Sequence, residues 1–119
     1  MNGIRLSKKE IEAIVKTAEE IFGKSVKVYL FGSRTDPNKK GGDIDLFLET
    51  DIAEPLALQK KIQFKIKLQK IIGEQSIDVI IPSLSSKNIV NEAKRTGVLL
   101  NNKRILREKT EGFKGENQC

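Results

Sequence analysis

Apolar residues at Ile11, Ile14, Val15, Ala18, Ile21 and Phe22 recur at the three-, four- and seven-residue spacings of one helical face. Ser7-Lys8-Lys9-Glu10 just ahead of them matches a capping box, and Gly23 stands where a helix would end. The pattern predicts a helix over Lys8–Phe22. Residues 26–31 are then β-branched and aromatic and stop at Gly32, which reads as a buried strand. Residues 32–42 form a loop with turn signals at both ends, Asp36-Pro37-Asn38 and Gly41-Gly42, and one helical turn after Ser33. A second strand follows over 43–48. Side chains alternate across a strand, so Asp43, Asp45 and Phe47 share one face and Ile44, Leu46 and Leu48 the other.

The stretch 53–72 carries two periodicities. Its length, Pro55 in the first turn and Gly73 at the end favour a helix. Ile62, Phe64, Ile66 and Leu68 nevertheless alternate with polar residues, as in a strand. A helix is the expectation, apolar on two sides: either buried on both or meeting the sheet with one and a partner protein with the other. Residues 76–81 form a third strand closed by Pro82, with Asp78 alone among apolar neighbours. Ser86 caps a short helix reaching Arg95 or Thr96, with Ile89, Val90 and Ala93 expected to face inward and Gly97 to end it. Val98-Leu99-Leu100 is an apolar segment expected to dock on the core. These elements imply an α/β (α+β) fold: a small mixed sheet of three or more strands with helices packed on it. The expected domain covers residues 1–106, and 107–119 read as a polar, loose tail.

Composition narrows the chemistry. With 38% hydrophobic and 32% charged residues, a soluble single-domain protein is expected, and neither a membrane span nor a signal peptide is visible. The single cysteine, Cys119, permits no internal disulfide, so a reducing, cytoplasmic setting is expected. The chain has no histidine, which excludes Ser-His-Asp and Cys-His catalysis and histidine-ligated zinc. A net charge of +6 favours polyanionic ligands, although lysine-rich solvated helices are the commoner explanation. Aromatic residues are only 5% and tryptophan is absent, so the stacking platforms that hold single-stranded nucleic acid are scarce. Direct nucleic-acid binding is not expected.

The remaining signal is a pair of carboxylates. Asp43 and Asp45 lie one residue apart on one strand face, where they repel each other unless a cation joins them. Oxygen ligands of this kind suit Mg²⁺, which takes a few carboxylates plus substrate phosphates. A lone D-x-D is common on solvent-facing strands. Here it follows Gly32-Ser33, at the end of an apolar strand, after nine intervening residues, and such a turn can offer backbone N–H groups to phosphate. Asp78 supplies a third carboxylate if its strand lies beside the second. Lys39 and Lys40 are close enough in sequence to assist with phosphate, although a solvated loop also explains them.

Gly32-Ser33, Arg34, Asp43-Ile44-Asp45-Leu46 and Asp78, closing with Gly97-Val98-Leu99-Leu100, resemble the minimal nucleotidyltransferase (MNT) group of the DNA polymerase β superfamily over about residues 8–100. The resemblance implies that fold, with Gly32, Ser33 and Arg34 at the nucleotide's phosphates, Arg34 alternatively bracing the loop. It implies that Asp43, Asp45 and Asp78 are catalytic and hold two Mg²⁺ ions, with Asp78 as an alternative proton acceptor. Two features depart from the pattern: the loop is short, and Gly42 stands where many relatives have serine. ATP is the implied substrate, attacked in line at the α-phosphorus with pyrophosphate leaving. Larger superfamily members carry further domains for their acceptors. The resemblance therefore implies a partner, a HEPN-type RNase toxin, adenylylated on a hydroxyl by this chain acting as its antitoxin. Two alternatives remain: an antitoxin that works by complex formation alone, and, ranked last, a nucleotidyltransferase acting on RNA ends.

Overall fold

Ser7 Oγ accepts the Glu10 N–H at 3.0 Å and Glu10 Oε1 accepts the Ser7 N–H at 2.9 Å, so the predicted capping box closes the first helix, α1 (Lys8–Phe22). The computed structural model describes residues 4–36, 38 and 42–101, with Ser33 described by its backbone alone. Lys39, Lys40 and the segment 107–119 lie outside the described residues.

After α1 come β1 (Lys27–Phe31), a 3₁₀ turn (Gly32–Thr35), β2 (Ile44–Glu49), α2 (Leu56–Ile72), β3 (Ile77–Ile80), a second 3₁₀ turn (Pro82–Leu84), α3 (Lys87–Thr96) and β4 (Val98–Leu99). The strands form one mixed sheet in the order β3-β2-β1-β4. β1 runs antiparallel to both β2 and β4, and β2 runs parallel to β3. The three-helix, four-strand α+β arrangement is the expected fold class. The segment expected only to dock on the core is an edge strand. Leu100 N–H donates to Val28 O at 2.7 Å, and the Asn101 side chain bonds both Val28 N–H and Val26 O.

The sheet has two unequal sides. On one, Val28, Leu30, Ile44, Leu46, Leu48 and Val79 bury against α1 and α2 in the main core. On the other, Phe47, Ile80 and Ala93 form a smaller cluster with Tyr29, Phe31 and Val90, and α3 sits over it. The Tyr29 and Phe47 rings lie 5.5 Å apart within that cluster. α3 seats through Val90 and Ala93. This centres its buried face between them and leaves Ile89, expected inward, 43% exposed.

The double pattern of 53–72 is also resolved. In a helix, residues four apart share a side. Phe64 and Leu68 point into the core with Ala57, while Ile62 and Ile66 point away from it. The apparent alternation is two helical stripes, one buried and one bare.

Candidate active site

β2 and β3 run parallel with Asp45 directly abreast of Asp78. Paired residues of a parallel ladder project to the same face, so both carboxylates stand on the α3 side of the sheet. α3 covers Phe47 and Ile80 there and leaves the end bearing the carboxylates open: Asp43 and Asp78 are exposed and Asp45 is half-buried. This accounts for an acid in the apolar run 76–81. Ile77 and Val79 face the main core while Asp78 faces solvent. Asp43 lies one residue ahead of β2, within electrostatic reach of Asp45.

Burial first, then the charges of Asp78 and Asp43, push the Asp45 carboxyl above the usual carboxylate range. Its cross-strand partner on β1 is Phe31, an apolar neighbour. The trio is thus a set of mutually repelling acids gathered by strand register, and the repulsion falls mainly on the central, least solvated one.

Gly32 touches this trio directly. It has φ +80°, and a Cβ there would overlap Asp45 Oδ2 and stand 3.0 Å from its Cγ. The backbone at the start of the turn therefore lies against the Asp45 carboxylate with no room for a side chain. Ser33 follows in the same 3₁₀ turn, which Thr35 closes by donating its hydroxyl to Gly32 O at 2.7 Å. Gly42, with φ +93°, occupies a conformation that L side chains rarely adopt, which explains why glycine rather than serine precedes Asp43 here.

Arg34 braces this framework. Its Nε donates to Gly42 O at 3.3 Å, Nη1 to Arg5 O at 2.8 Å and Nη2 to Gln75 Oε1 at 3.3 Å. One guanidinium thereby ties the residue before Asp43 to the N-terminal segment and to the turn that leads into β3. Arg5 strengthens the tie: its N–H donates to Arg34 O at 2.7 Å and its Nε to Asp36 O at 2.9 Å. Gln75 in turn donates through Nε2 to Glu10 Oε2 at 3.0 Å and to Ile72 O at 3.2 Å. Burial opposes ionisation of Glu10. Hydrogen bonds from Gln75 and Ser7, with the Arg34 charge, outweigh it and hold the carboxyl below its ordinary range.

Arg5, Glu10 and Gln75 are the supporting residues that sequence reasoning missed. The sequence marks Glu10 only as a helix cap, and no motif distinguishes Gln75 from other loop glutamines. Removing the amide should expose the brace. Gln75→Leu is expected to lower the melting temperature by roughly 4 °C, about 1 kcal/mol for a domain of this size. It should also cut turnover about tenfold, the lower range for losing an outer hydrogen-bonding support of a reactive site. Circular dichroism melting and steady-state kinetics check both, and Gln75→Glu should retain part of the Arg34 tie.

Among the described residues, no group of three acidic, histidine or cysteine side chains forms a ready-made metal cage. The donor set nevertheless fits Mg²⁺, which usually takes one or two carboxylates and completes its shell with water and substrate phosphate. A cation beside Asp45 would also offset the burial and the repulsion that raise its pKa. A separate cleft of about 490 Å³, lined by Phe22, Ser25, Lys27, Glu49, Thr50, Asp51 and Ile52, lies at the opposite end of β1 and β2 from Phe31 and Asp45 and holds none of the site.

The family model described as polymerase beta, nucleotidyltransferase matches residues 9–105. That span contains the Gly32 turn, all three carboxylates and every strand of the sheet. No curated protein matches the chain at a significant level. No helix of the described residues is long and apolar enough to cross a membrane.

Proposed function

The chain belongs to the polymerase beta nucleotidyltransferase family, and on that premise we propose that it transfers AMP from ATP to a hydroxyl of a partner protein. The partner in this reading is a HEPN-type RNase toxin, and adenylylation neutralises it. The observation that carries the reading is Asp45 abreast of Asp78, with the Gly32 backbone pressed against its carboxylate. Nucleotidyl transfer is the family's chemistry. The protein acceptor rests on the likeness of Gly32-Ser33-Arg34 and Asp43-Ile44-Asp45 to the minimal nucleotidyltransferases, and the open carboxylate end of the sheet is compatible with a macromolecular acceptor.

Asp43, Asp45 and Asp78 are the residues that would hold Mg²⁺. When bound, Mg²⁺ neutralises charge on the triphosphate and on the leaving pyrophosphate. The Gly32–Thr35 turn positions the nucleotide from the β1 side, and Arg34 keeps that turn and the Asp43 approach in register. An acceptor oxygen forms a bond to the α-phosphorus, and the bond from phosphorus to the bridging oxygen breaks. The electron pair leaves with pyrophosphate. The acceptor's proton passes to solvent or to Asp78, which is exposed on the same face. Most of the catalysis in this arrangement is positioning and charge stabilisation.

Mixing the chain with a HEPN-domain protein, ATP and Mg²⁺ should add adenylyl mass to the partner, seen by intact-protein mass spectrometry and mapped to a hydroxyl side chain. Asp43→Asn should abolish the gain. A partner of unchanged mass, or equal labelling by Asp43→Asn, would overturn the reading. Labelled short RNAs incubated in parallel should remain unextended.

A further inference from the structure

The outward side of α2 takes no part in the carboxylate site, yet it is bare and apolar. Leu58, Ile62 and Ile66 lie four residues apart on one stripe and are 48%, 50% and 52% exposed. Phe64 and Leu68, on the opposite side, are fully buried. Leaving three large aliphatic side chains in water on adjacent turns opposes stability, and a contiguous apolar patch of this kind marks an interaction site.

The charges that α2 itself carries are of one sign. α2 contains Lys60, Lys61, Lys65, Lys67 and Lys70 and no aspartate or glutamate. Lys67 pairs with Glu20 at 2.8 Å, and Lys60 donates to Ile21 O at 2.8 Å. Among the described residues, Lys61, Lys65 and Lys70 have no acidic partner. At 100° per residue, Lys61 and Lys65 fall on one flank of the stripe and Lys70 on the other.

We propose that this face docks an acidic amphipathic helix of a partner protein. The helix lays aliphatic side chains along Leu58, Ile62 and Ile66 and sets its carboxylates against Lys61, Lys65 and Lys70. A second copy of the chain fits poorly, because it would bring Lys61, Lys65 and Lys70 against the same three lysines with no acid in either helix, on molecules of net charge +6. An anionic membrane surface also attracts basic amphipathic helices, but these usually seat aromatic side chains at the boundary. The exposed large apolar residues here are all leucine or isoleucine. Aliphatic positions four apart match the ridge that one helix offers to another. The docking is independent of nucleotidyl transfer and holds whether or not Asp45 supports catalysis.

A labelled synthetic helix of about five turns, ~18 residues, with leucines three and four apart and glutamates on both flanks, tests the proposal by fluorescence anisotropy. Its control is the same composition scrambled to lose the period. The periodic peptide should bind saturably, with Kd on the order of 10 μM, and weaken as salt rises. Ile62→Asp and, separately, Lys61→Glu with Lys65→Glu should each weaken it about tenfold, near the 1.4 kcal/mol that a tenfold change represents. Both variants should keep the wild-type circular dichroism spectrum, because Ile62 is exposed and neither lysine lies in the core. Equal binding of the scrambled peptide, or undiminished binding by Ile62→Asp, overturns the proposal. So does preferential uptake by phosphatidylserine-containing vesicles, or a sedimenting dimer that Ile62→Asp dissolves.

Discussion

Asp45→Asn is expected to stabilise the fold while disabling it. Burial of the half-buried Asp45 carboxylate first, and then the charges of Asp78 and Asp43, raise its pKa. As pH rises through the ordinary aspartate range, the unfolded chain loses this proton before the folded one does. The folded state then binds more protons than the unfolded state, and stability falls with rising pH until the folded group ionises as well. The contribution of Asp45 is therefore most favourable in acid and lost towards neutrality, the opposite of a salt-bridged aspartate. Asparagine has nearly the same shape and no charge to repel. At neutral pH its melting temperature should rise by about 2–4 °C, a modest figure because solvent screens much of the repulsion. Below the ordinary aspartate pKa the gain should vanish. Nucleotidyl transfer should fall by about 10²–10³-fold, the scale for removing one preorganised electrostatic group. Mg²⁺ with nucleotide should raise the melting temperature of the wild type and much less that of Asp45→Asn. A variant that melts lower than wild type at neutral pH would contradict the repulsion argument.

Gly32→Ala should damage both stability and activity, through the same side chain. The φ of +80° alone disfavours any L residue, by about 1–3 kcal/mol. The added methyl also overlaps Asp45 Oδ2 and crowds its Cγ at 3.0 Å and Cβ at 3.3 Å. Turning the carboxylate away relieves the overlap at the expense of its alignment with Asp78. In a double-mutant cycle with Asp45→Ala, the overlap with the carboxylate disappears, and the backbone term remains with the 3.3 Å contact to the retained Cβ. Urea denaturation should thus show Gly32→Ala costing about 3 kcal/mol in the wild type and roughly 1–2 kcal/mol in the Asp45→Ala background. Additive costs would mean that the turn and the carboxylate are not in contact. Transfer activity should fall at least as far in Gly32→Ala as in Gln75→Leu, which loosens the same end of the sheet from farther away.

Local pattern determined much of this molecule. The capping box, the α1 stripe, the strand alternation and the Gly32-Ser33 to Asp43-Ile44-Asp45 spacing each depend on residues within one or two turns, and the structure places each near its expected bounds. β2 begins at Ile44 rather than at Asp43, and β3 covers Ile77–Ile80 within the expected 76–81, which leaves the alternation unchanged. Ile89 shows where local pattern runs out. Helical spacing sets it on the flank of Ala93, but only the seating of α3 on Phe47 and Ile80 decides which flank is covered.

The site divides along the same line. Asp43 and Asp45 could be joined from sequence because a strand alternates with a fixed period, and the match of the family model to residues 9–105 agrees with the chemistry they resemble. The parallel alignment of Asp78 with Asp45 is a register between strands separated by a whole helix, which the intervening residues do not encode by spacing. The contact of Gly32 with Asp45, the Arg34–Gln75–Glu10 brace and the bare outer stripe of α2 likewise depend on where distant segments meet. The sequence alone determined which groups carry charge and which strand faces they occupy. Tertiary structure decided which acid is desolvated, what holds the turn against it and which apolar face of α2 stays exposed, because burial and register are properties of packed elements and not of any one of them.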